Sequence, residues 1–344
     1  MLISTDYIEP AELTGYVRGA LADLQENQFT LSRFLPNDFI DDLQYRFTRG
    51  GEGLIEAATF RAYDAESPIG SRPGVARVTG ELPPISRKIR LGEYDRLRQR
   101  SADESIRDAI FSDAVRMTRA VAARMELARG QALATGELTI DENGILAAVD
   151  FGRQANHTTA PGTVWSNIAA ATPIADMLLW RDRYTDTNGE RPGVMLISTT
   201  VLGYLIRNAE FRALAATLAG TPSIVTEAAV QGVLTAHGLP PFEVYDAKVR
   251  VNGATTRVIP ADVVVMLPAA GDSFDPDSTD LGATLWGTTA EALEPEYGIE
   301  DGEEPGIVSG AYSTKDPVAV WTKAAAIGLP VLANPNLSLA ADVA

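Results

Sequence analysis

The sequence has no cysteine among its 344 residues and only two histidines. Without cysteine, disulfide bonds, thiolate nucleophiles and cysteine-ligated metals are all excluded. It also has no G-x-S-x-G nucleophile elbow, no Gly-Lys-Ser/Thr phosphate-binding loop and no H-E-x-x-H zinc motif. His157 falls in a polar loop and His237 near the end of a predicted helix, so neither is expected to be a catalytic base. We therefore expect no catalytic site, no cofactor and no metal, and hence no enzyme.

Long apolar runs are also missing. No stretch approaches the roughly 18 apolar residues that a membrane-spanning helix needs. The first residues lack the basic start and continuous apolar core of a secretory signal. The expectation is a soluble chain that remains in the cytoplasm where it is made and has no membrane partner.

The charge is strongly one-sided, at −17 overall, which disfavours sequence-specific binding to nucleic acid phosphates. Residues 268–308 hold eleven acids and no base, whereas residues 87–100 hold six bases against two acids. Two interpretations stay open: two solvated faces, or complementary contacts between neighbouring copies that guide assembly. Under the second, the candidate intersubunit contacts are Arg87, Lys88, Arg90, Arg96, Arg98, Arg100, Glu300, Asp301, Glu303 and Glu304.

One part of the acidic stretch, Asp275 to Asp280, invites a calcium interpretation. It lacks the spacing, the central glycine and the closing glutamate of an EF-hand loop. A solvated loop is therefore the expectation.

The spacing of apolar residues, glycines and prolines predicts the order of helices and strands. Residues 10–26 predict an amphipathic helix, followed by an aromatic-rich arm that needs partners on other elements or other subunits. Glycines and prolines divide residues 48–100 into short β-like pieces, which predicts a long two-stranded excursion without a core of its own. A long helix follows at 101–135, opened by the capping box of Ser101 and Glu104, then a hairpin at 138–152.

From residue 167 the pattern becomes mixed α/β. It predicts a helix from Thr172 to Tyr184, a buried strand at 194–199, helices at about 200–218 and 226–237, and a hairpin turning on Asn252 and Gly253. A second buried strand is expected at 263–267, and residues 309–344 read as strands to the end.

Three stretches carry a family resemblance: DFGR at 150–153, GTVWS at 162–166, and STKDPVAVWTKAAAIGLPVLANPN at 313–336. Together with the order of elements, they resemble the lambda-type major capsid proteins, the phage capsid protein E family. No single motif is specific, but the ordered set is.

The resemblance implies an α+β fold of the HK97 type, with five parts. These are an N-terminal arm (1–47), an E-loop (48–100), a peripheral domain (101–166) with a spine helix (101–135) and hairpin (138–152), an axial domain (167–308), and C-terminal strands returning to these domains (309–344).

The resemblance also implies a function and partners. Hexamers and pentamers of the chain would close an icosahedral head around double-stranded DNA, placing it in the virion. A portal, a scaffold, a maturation protease and in some cases a decoration protein would be its other partners. Cohesion is expected to be non-covalent, because Lys88 is the only lysine before Lys248 and lambda-type proteins do not cross-link.

Two alternatives remain at this level. A cellular nanocompartment shell of the same fold would hold cargo enzymes instead of DNA. An α/β enzyme would depend on residues 167–270 alone, and the missing motifs weigh against it.

Overall fold

A computed structural model of the protein describes residues 8–49, 76–94, 103–142, 144–216, 220–300, 305–316 and 318–344. The α-helices are α1 (Pro10–Asn27), α2 (Asp103–Thr135), α3 (Pro173–Asn188), α4 (Thr199–Leu205), α5 (Ala209–Leu214) and α6 (Glu227–Ala236). The strands of the first half are β1 (Asn37–Phe39), β2 (Gln44–Arg49), β3 (Ala76–Glu81), β4 (Pro84–Leu91), β5 (Glu137–Glu142), β6 (Ile145–Asp150), β7 (Thr158–Thr159) and β8 (Val194–Ile197). Those of the second half are β9 (Phe242–Val244), β10 (Lys248–Val251), β11 (Ala254–Arg257), β12 (Val263–Leu267), β13 (Gly282–Gly287), β14 (Val308–Lys315), β15 (Val318–Leu332) and β16 (Leu339–Asp342).

A five-stranded sheet built around the long strand β15 forms the centre of the molecule. β15 pairs antiparallel with β14, β4 and β13, and β1 adds in parallel to β13. Its small residues Ala324 and Ala326 are buried in one cluster with Val121 and Met125 of α2. Small side chains on the strand let the helix approach closely, so the sheet and the helix share one core.

Helix α2 confirms the long helix predicted from the sequence, over 33 residues or about 50 Å. Its glycine, Gly130, has a role that the sequence did not show. A Cβ at this position would lie 2.4 Å from the carbonyl oxygen of Val258. The missing side chain therefore permits a close helix-to-backbone contact, which offsets the low helix propensity of glycine.

The first segment folds onto its own chain. Leu13 and Val17 of α1 are buried in a cluster with α2 and the central sheet. Leu31 and Phe34 are fully buried in the main core. The sequence left two kinds of partner open for this arm, other elements or other subunits, and residues 8–39 find theirs on other elements of the same chain.

A second five-stranded sheet has the order β7-β16-β12-β8-β9. The buried strands β8 and β12 confirm two of the predicted core strands, and α3 begins after Thr172 as expected. The C-terminal strand β16 pairs with β12, so the chain end returns to this sheet. By contrast β13, which lies within the acidic residues 268–308, pairs with β15 in the central sheet, so that stretch is not wholly a solvated loop.

The helix predicted at about 200–218 is two helices. The chain turns after α4, and the side chain of Asn208 accepts a hydrogen bond from the backbone N–H of Glu210 to start α5. An asparagine in such a position competes with continuous helix by capping a new one. The helix predicted at 226–237 is confirmed, with the Thr226 hydroxyl accepting from the N–H of Ala229.

Three two-stranded ribbons extend from these sheets. β2 and β3 pair antiparallel, which agrees with the predicted excursion, although residues 50–75 between them lie outside the described residues. β5 and β6 form the predicted hairpin, and β10 and β11 turn on Asn252 and Gly253, both with positive φ. Within the described part of the chain, no helix is both long and apolar enough to cross a membrane.

Candidate assembly surface

The basic strip predicted from the sequence begins on a strand of the central sheet. Arg87, Lys88 and Arg90 lie on β4 and are exposed. Ile85 and Ile89 of the same strand turn towards α2. The first half of the strip is therefore a paired sheet strand, with Lys88 and Arg90 on the face away from α2, and not part of a free loop.

Aromatic side chains form the floor beside this strip. The ammonium of Lys88 lies 4.7 Å from the centroid of the Trp321 ring and 3.5 Å from the hydroxyl of Tyr312. The rings of Tyr312 and Trp321 stack with centroids 6.3 Å apart and an interplanar angle of 11°. A cation over an indole face is held by the ring quadrupole, so Lys88 has a defined position on the sheet.

Acidic side chains from residues 291–296 face the same floor. Lys323 pairs with Glu291, and this contact holds the pKa of Glu291 below its ordinary value although its burial acts the other way. Tyr297 packs against Gly310, where a Cβ would lie 2.6 Å from its ring. Burial, reinforced by Glu291, raises the pKa of Tyr297 to about 12, so its hydroxyl is protonated at neutral pH.

The two walls enclose a cleft of about 770 Å³, which we call the charged cleft. It is lined by Ser86, Arg87, Lys88, Glu291, Glu294, Glu296, Tyr297, Tyr312 and Lys323. Opposite charges thus meet across it within one chain. An ion pair joins Lys323 to Glu291 across the cleft.

The structure describes four of the ten candidate contact residues. Arg87, Lys88, Arg90 and Glu300 are described and exposed, and the first two line the charged cleft. Glu300 is not among the cleft residues. The remaining candidates lie outside the described residues: Arg96, Arg98, Arg100, Asp301, Glu303 and Glu304. The role of all ten residues as contacts between subunits stays a prediction.

A buried polar network, which the sequence interpretation missed, joins α2 to the rest of the molecule. Arg129 and Glu126 form an ion pair at 3.2 Å with side chains 1% and 0% exposed. Arg129 also donates to the Asn37 side chain at 2.8 Å and to the Thr284 hydroxyl at 2.8 Å. The carboxylate of Glu126 accepts from the Tyr245 hydroxyl at 2.6 Å.

This network is satisfied on every side, which is what makes two buried charges tolerable. Burial lowers the pKa of Arg129, while the adjacent Glu126 acts against that shift. Burial and the Glu126 carboxylate raise the pKa of Tyr245. The sequence does show one sign of this network, because Glu126 and Arg129 are spaced i,i+3 beside the apolar stripe of a long helix. Their partners Asn37, Tyr245 and Thr284 are far away in sequence and could not be predicted.

The DFGR motif at 150–153 has a structural explanation. Asp150 accepts from the N–H of Gly152, and Arg153 donates to the carbonyl oxygens of Leu133 and Ala134 at 2.8 and 2.9 Å. The guanidinium therefore satisfies the last carbonyls of α2, which no helical N–H can reach. Burial lowers the pKa of Arg153 to about 10, so the group keeps its charge at neutral pH.

The second part of the motif set, GTVWS at 162–166, anchors its loop by tryptophan. The Trp165 ring is fully buried and stacks on Trp180 with centroids 5.4 Å apart. Its indole N–H donates to Asp176 at 2.9 Å. The motif residues thus hold the end of α2 and the start of the α/β region.

The remaining candidate groups serve local structure. In the loop at 275–280, the Asp275 side chain accepts from the N–H of Asp277 and so closes a turn. The His237 ring bonds to the carbonyl of Val233 at the end of α6. Among the described residues, no group of three or more potential metal ligands is assembled.

A comparison with protein families identifies the chain. Residues 44–343 match the model of "Phage major capsid protein E". The chain belongs to this family. The lambda-type resemblance seen in the sequence is therefore confirmed, and the protein is a phage shell protein.

Solved structures agree on the fold. The putative capsid protein of an Escherichia coli CFT073 prophage is 16% identical, with a TM-score of 0.63 over 96% of this chain and 99% of that one. A phage-related protein of Bordetella bronchiseptica RB50 is 11% identical, with a TM-score of 0.59 over 96% of both chains. The capsid of a native GTA particle is 9% identical, with a TM-score of 0.50 over 92% of this chain and 90% of that one. The fold is accordingly the HK97-type capsid fold. Among curated proteins, none matches the sequence.

Proposed function

We propose that the chain is the major capsid subunit of a tailed double-stranded DNA phage. Copies assemble as hexamers and pentamers and close an icosahedral head, so that the protein resides in the virion after synthesis in the host cytoplasm. The observation that carries this proposal is the family match over residues 44–343, joined to a capsid fold along nearly the whole chain.

We propose that the elements of the chain belong to the parts of the capsid fold as follows. α2 is the spine helix of the peripheral domain, with the β5–β6 hairpin beside it. The sheet that contains β8 and β12 belongs to the axial domain, at the centre of each capsomer. Residues 48–100 contain the E-loop, and the position of β4 in the central sheet supports placing the free part of that loop before residue 84.

Partners follow from the same proposal. The chain contacts itself first, and then a portal, a scaffold, a maturation protease and in some relatives a decoration protein. It encloses double-stranded DNA without reading its sequence, which suits a net charge of −17. A nanocompartment shell is not favoured, because the matching family is one of phage capsid proteins.

Self-assembly of the purified chain tests the proposal. We expect closed particles by negative-stain microscopy and a fast-sedimenting species by ultracentrifugation. A more specific experiment replaces residues 52–73 with a short Gly/Ser linker, which leaves β2, β3 and β4 in place. This variant should remain folded but form no closed shells. A wild-type chain that stays a folded monomer at every concentration would overturn the function, and normal shells from the linker variant would overturn the E-loop role alone.

A further inference from the structure

Strand β6 has an unusual edge. Among the described strands it pairs only with β5, and residues Ile145 to Val149 carry no charge. Leu146 on this strand is 79% exposed. Proteins commonly protect such an edge with lysine, proline or a bulge, because its free N–H and C=O groups can pair with another chain.

Another hairpin of the same chain shows the protected form. β10 and β11 also pair only with each other among the described strands, but they carry Lys248, Arg250 and Arg257. Three bases on a ribbon of eight strand residues oppose strand addition. Neither β5 nor β6 carries a base, and the one charged residue of β6 is Asp150 at its end, so this edge lacks the basic protection of the β10–β11 ribbon.

The direction of the free groups follows from the hydrogen-bond register. The N–H of Phe151 donates to the carbonyl of Gly136 at 3.1 Å, just beyond the ladder of β5 and β6. In an antiparallel pair the bonded positions alternate, so Val149 and Ala147 also direct their N–H groups at β5. Leu146, Ala148 and Asp150 direct theirs outward.

A groove of about 420 Å³ lies along this edge. β6 lines it with five consecutive residues, 146–150, whereas β5 contributes only the alternate residues Leu138 and Ile140. Consecutive lining residues indicate that the backbone edge of β6 borders the groove. On the other side stand Gly80 and Glu81 of β3, a strand whose described pairing is with β2 alone.

We propose that an extended strand of a second copy of this chain enters this groove and pairs with the backbone edge of β6. This interface rests on the proposed function and specifies one of the contacts that it requires. Shell formation places many copies of the same chain side by side, so a second copy is the occupant that the family supplies. Both charged residues of the groove, Glu81 and Asp150, are acidic, so a base on the entering strand would complement them.

Hydrogen exchange with mass spectrometry on the wild-type chain tests the pairing directly. Exchange is compared between free subunits and particles assembled from the purified chain. We expect the amides of Leu146 and Ala148 to exchange at least about tenfold more slowly in particles, because a new partner accepts their hydrogen bonds. The amides of Ala147 and Val149 are bonded within the hairpin and should be protected in both states.

A matched pair of variants separates the backbone from the side chain. Ala148→Pro removes an outward N–H without removing a bond of the hairpin ladder, whereas Ala148→Val keeps it. We expect Ala148→Pro to reduce particle yield about tenfold and Ala148→Val to assemble like the wild type, each with an unchanged circular dichroism spectrum.

The outcomes distinguish this inference from the function on which it rests. Wild-type particles with unchanged exchange at Leu146 and Ala148 would overturn the pairing and leave the shell function standing. Protection found in complete virions but absent from particles of the pure chain would assign the groove to another protein, which also overturns the second-copy interface. If Ala148→Pro fails to fold, the exchange measurement alone decides.

Discussion

The buried Glu126–Arg129 pair and the charged cleft use the same kinds of side chain in opposite surroundings. Glu126 and Arg129 are closed off from solvent, and each has further hydrogen-bond partners inside the protein. The side chains of Lys323 and Glu291 remain 30% and 24% exposed, and Arg87 and Lys88 are exposed. The buried set fixes how α2 sits against the core. The cleft set is open to solvent, where an ion pair contributes at most about 1 kcal/mol to folding.

The largest expected effect is the loss of one partner from the buried pair. Arg129→Ala should lower the free energy of unfolding by about 3–5 kcal/mol, because it leaves the Glu126 carboxylate charged and unpaired in the core. Arg116→Ala removes an exposed partner of Asp113 on the same helix and should cost less than about 1 kcal/mol. Denaturant unfolding of the free subunit measures both.

A double variant sharpens this difference. Arg129→Met with Glu126→Leu removes both charges and should be less destabilised than the sum of the two single changes. Additive losses would show that the pair is not energetically coupled, and the buried network would then be no more than a set of independent contacts.

The next effect compares one glycine of helix α2, Gly130, with one glycine of helix α1, Gly19. Gly130→Ala should destabilise the subunit by about 1–3 kcal/mol, because its Cβ would meet the carbonyl of Val258. Gly19→Ala in α1 has nothing within 4 Å of the added Cβ and should stabilise it by about 0.5–1 kcal/mol. Thermal unfolding of both variants gives the sign, and stabilisation by Gly130→Ala would mean that the helix does not approach Val258 this closely.

These cases show where sequence reasoning succeeds. The long helix, the hairpins and the buried strands depend on local periodicity and turn chemistry, which neighbouring residues carry. They appear in the structure close to their predicted bounds. The family resemblance depended on ordered motifs, and it too is confirmed.

One failure is local, since Asn208 divides the helix predicted at about 200–218, and the others involve contacts between distant residues. Nothing near Gly130 shows that Val258 touches it, and the acidic composition around β13 conceals its pairing with β15. The same reason hid the charged cleft, since Lys88 and Trp321 are joined only by the pairing of β4 with β15. A pattern that repeats every two or four residues carries no such information.

The rate of particle formation should depend on salt if the basic strip contacts neighbouring subunits. Reversal of Arg96, Arg98 and Arg100 to Glu is expected to slow particle formation by about tenfold at low salt and less at high salt, because salt screens the attraction between charges on neighbouring subunits. Lys248→Glu with Arg250→Glu is the matched control, on the ribbon of β10 and β11, and should alter the rate little. Light scattering follows the rate, and equal rates for the wild type and the triple variant at low salt would remove the basic strip from the assembly contacts.

The smallest expected effect is the pH dependence that a buried histidine gives to stability. His157 is 0% exposed, with one ring nitrogen 3.1 Å from the Thr187 hydroxyl. Burial lowers its pKa, and the charges of Arg153 and Arg183 add to this, against the opposing effect of the Ser338 carbonyl.

Because the folded chain resists this proton, the unfolded chain takes it up first as the pH falls below about 6.5. The stabilisation is therefore complete above that pH and is lost progressively below it, until the lowered pKa of the folded state is passed. His157→Gln keeps a polar side chain but cannot titrate, so its unfolding free energy should fall less than that of the wild type between pH 7.5 and about 5.5. His237→Gln, at an exposed helix end, is the control for replacing a histidine outside this buried site. Parallel curves for the wild type and His157→Gln would show that the ring between the two arginines accepts its proton as readily as a ring in water.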